Sequence, residues 1–223
     1  MTGRRSLLGL AAAALLPRIG FAQAAVPALP FSMLRPGAAL PEWLEVQTFR
    51  GRPRHTEYAL VADEGRTVLR ARADASTSGL TRALSVDPRA HPILAWRWKV
   101  TRLVAGADLA SKAGDDFPAR LYVTFDRLPM VALCYVWDTR APAGTFSPNA
   151  YSGRVHMVVV DSGPAQLGRW VERSRDVAAD YRRAFGAEPP LVNGVAVSVD
   201  TDNTGERAES YFGDVEFRSP RPS

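Results

Sequence analysis

The sequence contains a single cysteine, Cys134, among 223 residues. An intramolecular disulfide is therefore impossible, and the fold depends on its core for stability. Cys134 lies in an apolar run, Val131–Trp137, whose flanks offer no histidine or cation to lower the pKa of the thiol. We interpret it as a packed thiol rather than a nucleophile.

Several signatures of common enzymes are also absent from the sequence. The three histidines are scattered without metal-ligand spacing, no glycine-rich phosphate loop is present, and Ser162-Gly163 lacks the surroundings of a nucleophile elbow. These absences argue against a metallohydrolase, a nucleotide enzyme and a serine hydrolase.

Residues 1–24 have the order of features of a signal peptide. Arg4 and Arg5 precede an apolar run, Leu7–Leu16, which is too short to span a membrane, and Ala22-Gln23-Ala24 forms a cleavage site. The paired arginines resemble a twin-arginine signal, although an ordinary Sec signal also tolerates them. A buried N-terminal helix is the alternative. We predict an exported bacterial protein, periplasmic or secreted, with no transmembrane segment in the mature chain.

The basic excess of the chain lies mainly in this leader. The full sequence has 28 basic and 23 acidic residues, but removal of Arg4, Arg5 and Arg18 leaves 25 basic residues. No lysine- or arginine-rich run survives in the mature chain. Nucleic-acid binding is therefore not expected.

Two segments show the alternation of half-buried β-strands. In Leu94–Val100, Leu94, Trp96, Trp98 and Val100 share one face, opposite Arg97 and Lys99. In Arg120–Phe125, Leu121, Val123 and Phe125 lie opposite Arg120, Tyr122 and Thr124. The loop between these strands contains Lys112, Asp115 and Asp116. We expect the pair to present an apolar face to the core and a charged face to a ligand.

The rest of the chain predicts more short strands, separated by proline, glycine, asparagine and aspartate. One helix, Asp176–Phe185, is capped by Ser174 or Asp176 and ends at Gly186. We predict an all-β, two-sheet antiparallel β-sandwich of jelly-roll type with one short helix at 176–185. The signal peptide (1–24) and an extended lead-in (25–41) precede a single domain (42–223), which we expect to be a monomer.

Five stretches resemble a bacterial domain-of-unknown-function family, number 3047 in that series. They are WRWKV (Trp96–Val100), KAGDDFPARLYV (Lys112–Val123), YVW (Tyr135–Trp137), RDVAADYRRAFG (Arg175–Gly186) and DTDNTG (Asp200–Gly205). The family brings no established activity. The closing YFGDVEF (Tyr211–Phe217) is similar to the last strand of galactose-binding-like jelly rolls in carbohydrate-binding modules. This second similarity implies two antiparallel sheets and a face or rim that binds sugars.

The DTDNTG stretch is a candidate calcium site. Asp200, Asp202 and Asn203 supply oxygen ligands, and Asp214 could join them from a neighbouring strand. It is not an EF-hand, because a tyrosine stands where the bidentate glutamate belongs. The alternative is a hairpin loop held by Asx turns, with Gly205 at positive φ. A structural calcium ion therefore remains open, and no other cofactor is expected.

We predict a ligand site on the charged strand faces and the loop between them. Its candidate residues are Arg97, Lys99, Asp115, Asp116, Arg120, Tyr122, Tyr135 and Trp137. Aromatic rings stack on sugars, while arginine and aspartate bind hydroxyls or carboxylates, and the excess of cations favours an anionic glycan. The leading hypothesis is a non-catalytic binding domain for a carbohydrate or another small polar ligand. The alternatives are a polysaccharide-acting enzyme that uses Asp115 or Asp116, an envelope protein-interaction module, or a solvated face without a ligand.

Overall fold

The computed structural model of the chain describes residues 25–48, 51, 54–127 and 129–220, and the predicted signal peptide lies outside them. The strands in this part are β1 (Ala25–Leu29), β2 (Glu45–Gln47), β3 (Glu57–Asp63), β4 (Arg66–Asp74), β5 (Gly79–Val86), β6 (Ile93–Arg102), β7 (Ala119–Arg127), β8 (Met130–Asp138), β9 (Phe146–Pro148), β10 (Val155–Ser162), β11 (Val171–Asp176), β12 (Val192–Ser198) and β13 (Arg207–Arg218). The helices are a 3₁₀ turn (Phe31–Met33) and α1 (Val177–Phe185). Within these ranges, no helix is long and apolar enough to cross a membrane.

The strands form two sheets that pack face to face. Sheet A has the order β11-β6-β13-β4-β3, with β1 also paired to β13, and sheet B has the order β2-β5-β12-β7-β8-β10-β9. Among the described strand pairs, only β8 with β10 is parallel, because residues 139–154 carry the chain back to the start of β8. The predicted all-β two-sheet sandwich is confirmed.

The two strands expected to share a charged face lie in different sheets. β6 pairs with β11 and β13 in sheet A, whereas β7 pairs with β12 and β8 in sheet B. The segment between them crosses from one sheet to the other. Each strand turns its apolar side to the common core, so their charged sides face away from each other on opposite surfaces of the sandwich.

Aromatic side chains from both sheets meet in the core. The ring centroids of Trp96 and Tyr135 are 5.4 Å apart, and those of Trp98 and Trp137 are 6.2 Å apart. The buried indole nitrogens of two of these rings find acceptors, because Trp98 donates to Asp161 (2.8 Å) and Trp137 donates to the Gly163 carbonyl (3.2 Å). Such pairing offsets the cost of burying a polar group.

The ends of α1 are those that the sequence predicts. The Asp176 carboxylate accepts the Ala179 N–H (2.8 Å) as the N-cap. Gly186 follows the helix in the left-handed region, with φ +68°, and its N–H bonds to the Arg182 carbonyl. Tyr181 packs on Phe125, with ring centroids 4.5 Å apart, so the helix covers one end of the core.

Residues 25–41, expected to be a lead-in, are partly built into the sandwich. β1 pairs with the second half of β13, and Leu29 and Phe31 are fully buried. The alanines and prolines of this segment gave no periodic pattern, so its packing was not visible in the sequence.

Candidate functional site

A cavity of about 510 Å³ lies on the outer face of sheet B, on the side away from the core. Its floor and walls include Thr81, Arg120, Tyr122, Thr124, Ala196 and Ser198 from the strands, and Asp115, Asn149, Tyr151, Asp202 and Asn203 from the loops. We call it the sheet B cavity. A larger cavity of about 800 Å³ lies on sheet A, but its charged walls pair with each other, as Arg72 does with Glu209 and Arg207 with Asp74. The sheet B cavity is the better candidate, because its lining combines apolar surface with a few polar side chains, as ligand sites do.

Arg120 lies at the centre of a network in the cavity wall, and its side chain is only 2% exposed. Its Nε donates to Asp200 Oδ1 (2.9 Å), and its Nη2 lies 2.8 Å from Asp200 Oδ2. Its Nη1 donates to Asp115 Oδ1 (3.3 Å) and to the Tyr122 hydroxyl (3.2 Å). The guanidinium also stacks 4.5 Å from the Phe117 ring centroid. The charge is thus buried with partners, as a buried arginine requires.

Burial changes the acid–base properties of the groups around Arg120. Burial and two neighbouring carboxylates raise the pKa of Asp200 to about 7, although Arg120 opposes that shift. Burial disfavours the charge of Arg120, but Asp200 and other neighbours outweigh it and raise the arginine's pKa above its ordinary value. Burial also raises the pKa of Tyr122 well above its usual range and that of the Cys134 thiol to about 12. Cys134 is therefore a protonated, packed thiol at neutral pH.

Asp116, unlike its neighbour, is fully buried beneath the 200–205 loop. Its carboxylate accepts the backbone N–H groups of Asn203 (3.0 Å) and Thr204 (2.6 Å), and also the Asn203 side-chain amide (3.1 Å). Gly205 ends the loop with φ +71°. These bonds hold the 200–205 loop in place. Asp116 does not line the cavity itself, but it fixes the position of Asn203, which does.

Three carboxylates at this loop could in principle hold a metal ion. Oxygens of Asp116, Asp200 and Asp202 lie within 4.8 Å of one another. Asp214 does not join them, because it belongs to sheet A, where it accepts the Ser32 N–H (2.8 Å). The oxygens of Asp116 and Asp200 already accept N–H bonds, and the Arg120 guanidinium repels a cation. A calcium ion, which the sequence left open as an alternative to a hairpin loop, stays a prediction, and this donor set fits it poorly.

Two predicted ligand residues, Arg97 and Lys99, lie on the outer face of sheet A. Lys99 pairs with Asp63, and the Arg97 guanidinium lies 4.3 Å from the Trp170 ring centroid. Asp63 also accepts the Trp170 indole N–H (2.8 Å). Because sheet A and sheet B turn their outer faces in opposite directions, these residues are separate from the sheet B cavity.

Tyr135 and Trp137 were expected on the charged face, and that placement is wrong. Both side chains point into the core and are fully buried. The Tyr135 hydroxyl donates to Asp180 (3.0 Å), which also pairs with Arg175. β8 is buried on both of its faces from Ala132 onward, so its sequence has no polar alternation from which to read the register.

The structure adds cavity residues that the sequence did not single out. Tyr151 is 52% exposed, and its hydroxyl lies 3.1 Å from the Lys112 carbonyl and 3.2 Å from Asn203 Oδ1. Asn149 donates to Asp115 Oδ1 (3.0 Å). Both residues come from a loop whose sequence has no helical or strand periodicity. Its contacts with residues 112, 115 and 203 show that it forms a wall of the sheet B cavity.

The chain belongs to the family described as "Protein of unknown function (DUF3047)", whose model matches residues 41–216. The expected family membership is confirmed, and the matched range contains every residue that lines the sheet B cavity. No curated protein matches the chain. A function for this protein therefore has to be argued from the cavity.

Proposed function

We propose that this protein is a non-catalytic binding domain for a neutral carbohydrate, which it holds in the sheet B cavity. The observation that carries the proposal is the cavity itself, about 510 Å³ in volume and lined by converging polar side chains around Arg120. This volume lies in the range of small-molecule sites, about 300–1,000 Å³.

Hydroxyl groups fit the polar end of the cavity. Asp115 is 12% exposed, and only its Oδ1 atom accepts the bonds from Arg120 and Asn149. Among the described residues, none donates to its Oδ2 atom, which leaves an acceptor for a ligand hydroxyl. A hydroxyl that donates to a carboxylate forms a charge-assisted bond, about twice as strong as a neutral one.

The charge of the lining favours a neutral ligand over the anionic glycan expected from the sequence. Among the residues that the structure describes, Asp115, Asp200 and Asp202 are the acidic residues of the lining, and Arg120 is its basic residue. The guanidinium is already engaged by two of these carboxylates. The cations that suggested an anionic ligand, Arg97 and Lys99, lie on sheet A.

Tyr151 provides an aromatic surface at the cavity wall. Its hydroxyl contacts to Lys112 and Asn203 restrain the ring, and Lys112 Nζ lies 5.2 Å from the ring centroid. A restrained ring loses little freedom when a sugar stacks on it. The combination of stacking and hydroxyl acceptors supports a saccharide rather than an ion.

Binding to immobilised glycans, followed by calorimetry on the best neutral saccharide, tests the proposal. We expect Asp115→Asn and Tyr151→Ala to weaken the affinity at least about tenfold, or about 1.4 kcal/mol. Arg97→Ala is the matched control, because it removes a charged residue from sheet A and should leave the affinity unchanged. A glycan whose affinity survives both cavity variants, or no glycan at all, contradicts the proposal.

A second candidate is a polysaccharide hydrolase, favoured by the raised pKa of Asp200. A carboxyl group with a raised pKa can act as a general acid, and Asp115 or Asp202 lines the same cavity as a second carboxylate, but both Asp200 oxygens contact the Arg120 guanidinium, which opposes this role. Asp116 is fully buried and does not reach the cavity. Release of reducing ends from cell-envelope glycans, lost in Asp115→Asn and in Asp200→Asn, would favour the enzyme over the binding domain.

We also propose export, as residues 1–24 suggest. β1 (Ala25–Leu29) lies after the predicted cleavage site, so removal of residues 1–24 would leave this strand in place. N-terminal sequencing of the protein from the periplasm or the medium should give Ala25 as the first residue. A chain that keeps Met1 and stays in the cytoplasm contradicts export.

A further inference from the structure

The polarity of the sheet B cavity changes along the strands that form its floor. β5, β12 and β7 run side by side, and their outward residues form three rows. The first row is Gly79, Ser198 and Arg120, the second is Thr81, Ala196 and Tyr122, and the third is Ala83, Gly194 and Thr124. Two residues of a strand span about 6.7 Å, so the first and third rows are about 13 Å apart. The floor is therefore long enough for a ligand with two chemically distinct parts.

Polar groups are concentrated at the first row. Arg120 lies there and donates to Asp115, which in turn accepts a hydrogen bond from Asn149. Asn203 also contacts this end, because its side chain donates to the Asp115 carbonyl (3.3 Å). These groups form the hydroxyl-binding end of the cavity.

The third row presents apolar surface. The Thr124 hydroxyl is 2.8 Å from Asn193 Oδ1 and is satisfied by it, which leaves the threonine methyl group for the cavity. Val155 lies in the same row, since it pairs with Ala132 and Ala132 pairs with Thr124. The Met130 side chain lines the same end and is 44% exposed. An exposed methionine in a cavity wall is typical of a surface that contacts an apolar partner.

The middle row leaves room between the two ends. Ala196 contributes only a methyl group to the floor, and the Tyr122 hydroxyl already accepts from Arg120. The first row is open as well, because a Cβ atom at Gly79 would approach no described atom closer than 3.9 Å. An alkyl chain can therefore pass along the floor from the polar end to Met130.

We infer that the ligand of the sheet B cavity is amphipathic: a saccharide that carries an alkyl or acyl chain, with the sugar near Asp115 and the chain along Ala196 toward Met130. The inference rests on the proposed function, because it assigns the polar end to a sugar. It goes beyond that function by naming the ligand class and the direction in which the ligand lies.

Calorimetry with four probes tests the inference: hexyl and methyl β-D-glucoside, hexyl β-D-galactoside, and 1-hexanol. At least one hexyl glycoside should bind at least tenfold more tightly than methyl β-D-glucoside. Ala196→Leu fills the floor and should reduce the affinity for that hexyl glycoside at least tenfold. Ala62→Leu is the matched control, because Ala62 is exposed on β3 in sheet A, away from the cavity, and its replacement should leave the affinity unchanged.

The outcomes separate the inference from the proposed function. Equal affinity for the methyl and hexyl glucosides, with both lost in Asp115→Asn, overturns the inference and keeps the carbohydrate-binding function. Binding of 1-hexanol as tight as that of the hexyl glycosides shows that the sugar contributes nothing and overturns both. Tight binding of a hexyl glycoside that Ala196→Leu does not weaken places the chain elsewhere and overturns the inference. Absence of binding by all four probes also overturns it.

Discussion

Replacing Arg120 by methionine should destabilise the fold by about 3–5 kcal/mol at pH 8. The side chain is 2% exposed, and its guanidinium is the cation that contacts the carboxylates of Asp115 and Asp200. Methionine keeps much of the volume over the Phe117 ring but leaves both carboxylates without their counter-charge. Urea unfolding followed by tryptophan fluorescence measures the loss as a change in midpoint at constant slope.

A second substitution identifies the cause of this loss. Adding Asp200→Asn to Arg120→Met removes the carboxylate that makes the shorter contacts to the guanidinium, so the double variant should recover stability. The coupling between the two sites should be about 1–3 kcal/mol. If the two effects simply add, the arginine stabilises the protein through packing, and the electrostatic reasoning is refuted.

The pH dependence gives an independent check on the same network. The pKa of Asp200 is raised to about 7 in the folded state, above its ordinary value of 3.8. Its contribution to stability is therefore fully present below 3.8 and is lost as the pH rises through about 7. Without Arg120 the pKa rises further, so the penalty of Arg120→Met should shrink between pH 8 and pH 5. A penalty that grows on acidification would contradict the assigned pKa direction.

Three further predictions concern the scaffold. A methyl group at Gly114 would lie 2.8 Å from a backbone nitrogen, so Gly114→Ala should cost about 1–3 kcal/mol in unfolding experiments, whereas Gly153→Ala, which meets open space, should be neutral. Asp176→Ala should lower the stability by about 1 kcal/mol through loss of the N-cap, visible in thermal denaturation. Burial opposes ionisation of Asp63, but hydrogen bonds from Lys99 and an indole lower its pKa, so its contribution is present above the ordinary value of 3.8 and is lost as the pH falls. The stability difference between wild type and Asp63→Asn should therefore disappear in acid.

Local features of the fold followed from the sequence where one physical cause dominated. The alternation in β6 correctly separates Trp96 and Trp98, which are buried, from Arg97 and Lys99 on the surface. The caps of α1 were also predictable, because an aspartate before a helix and a glycine after it satisfy groups of the helix itself. These are interactions between near neighbours in the chain.

The placement of the site could not be predicted in the same way. Alternation shows which side of a strand is apolar, but it carries no information about which sheet the strand joins, and β6 and β7 joined different ones. The orientation of β8 was predicted wrongly for another reason. A strand that is buried on both faces has no polar side that would show which way Tyr135 and Trp137 point. Sequence reasoning therefore found Asp115, Arg120 and Tyr122 but combined them with residues from the core and from the opposite surface.

The Arg120 network also decides how binding and folding can be separated in experiments. Asp200 accepts from the guanidinium with both of its carboxylate oxygens and also from the Phe117 N–H (3.1 Å), whereas Asp115 uses one oxygen, Oδ1, for a longer guanidinium bond of 3.3 Å. Loss of the Asp115 charge therefore leaves Arg120 still paired with Asp200. Asp115→Asn should consequently remove a ligand contact at a small cost in stability, while Asp200→Asn perturbs the fold itself. A cavity wall in which one carboxylate supports the arginine and the other remains available is what a binding site requires, because the ligand can be exchanged without unpairing the buried charge.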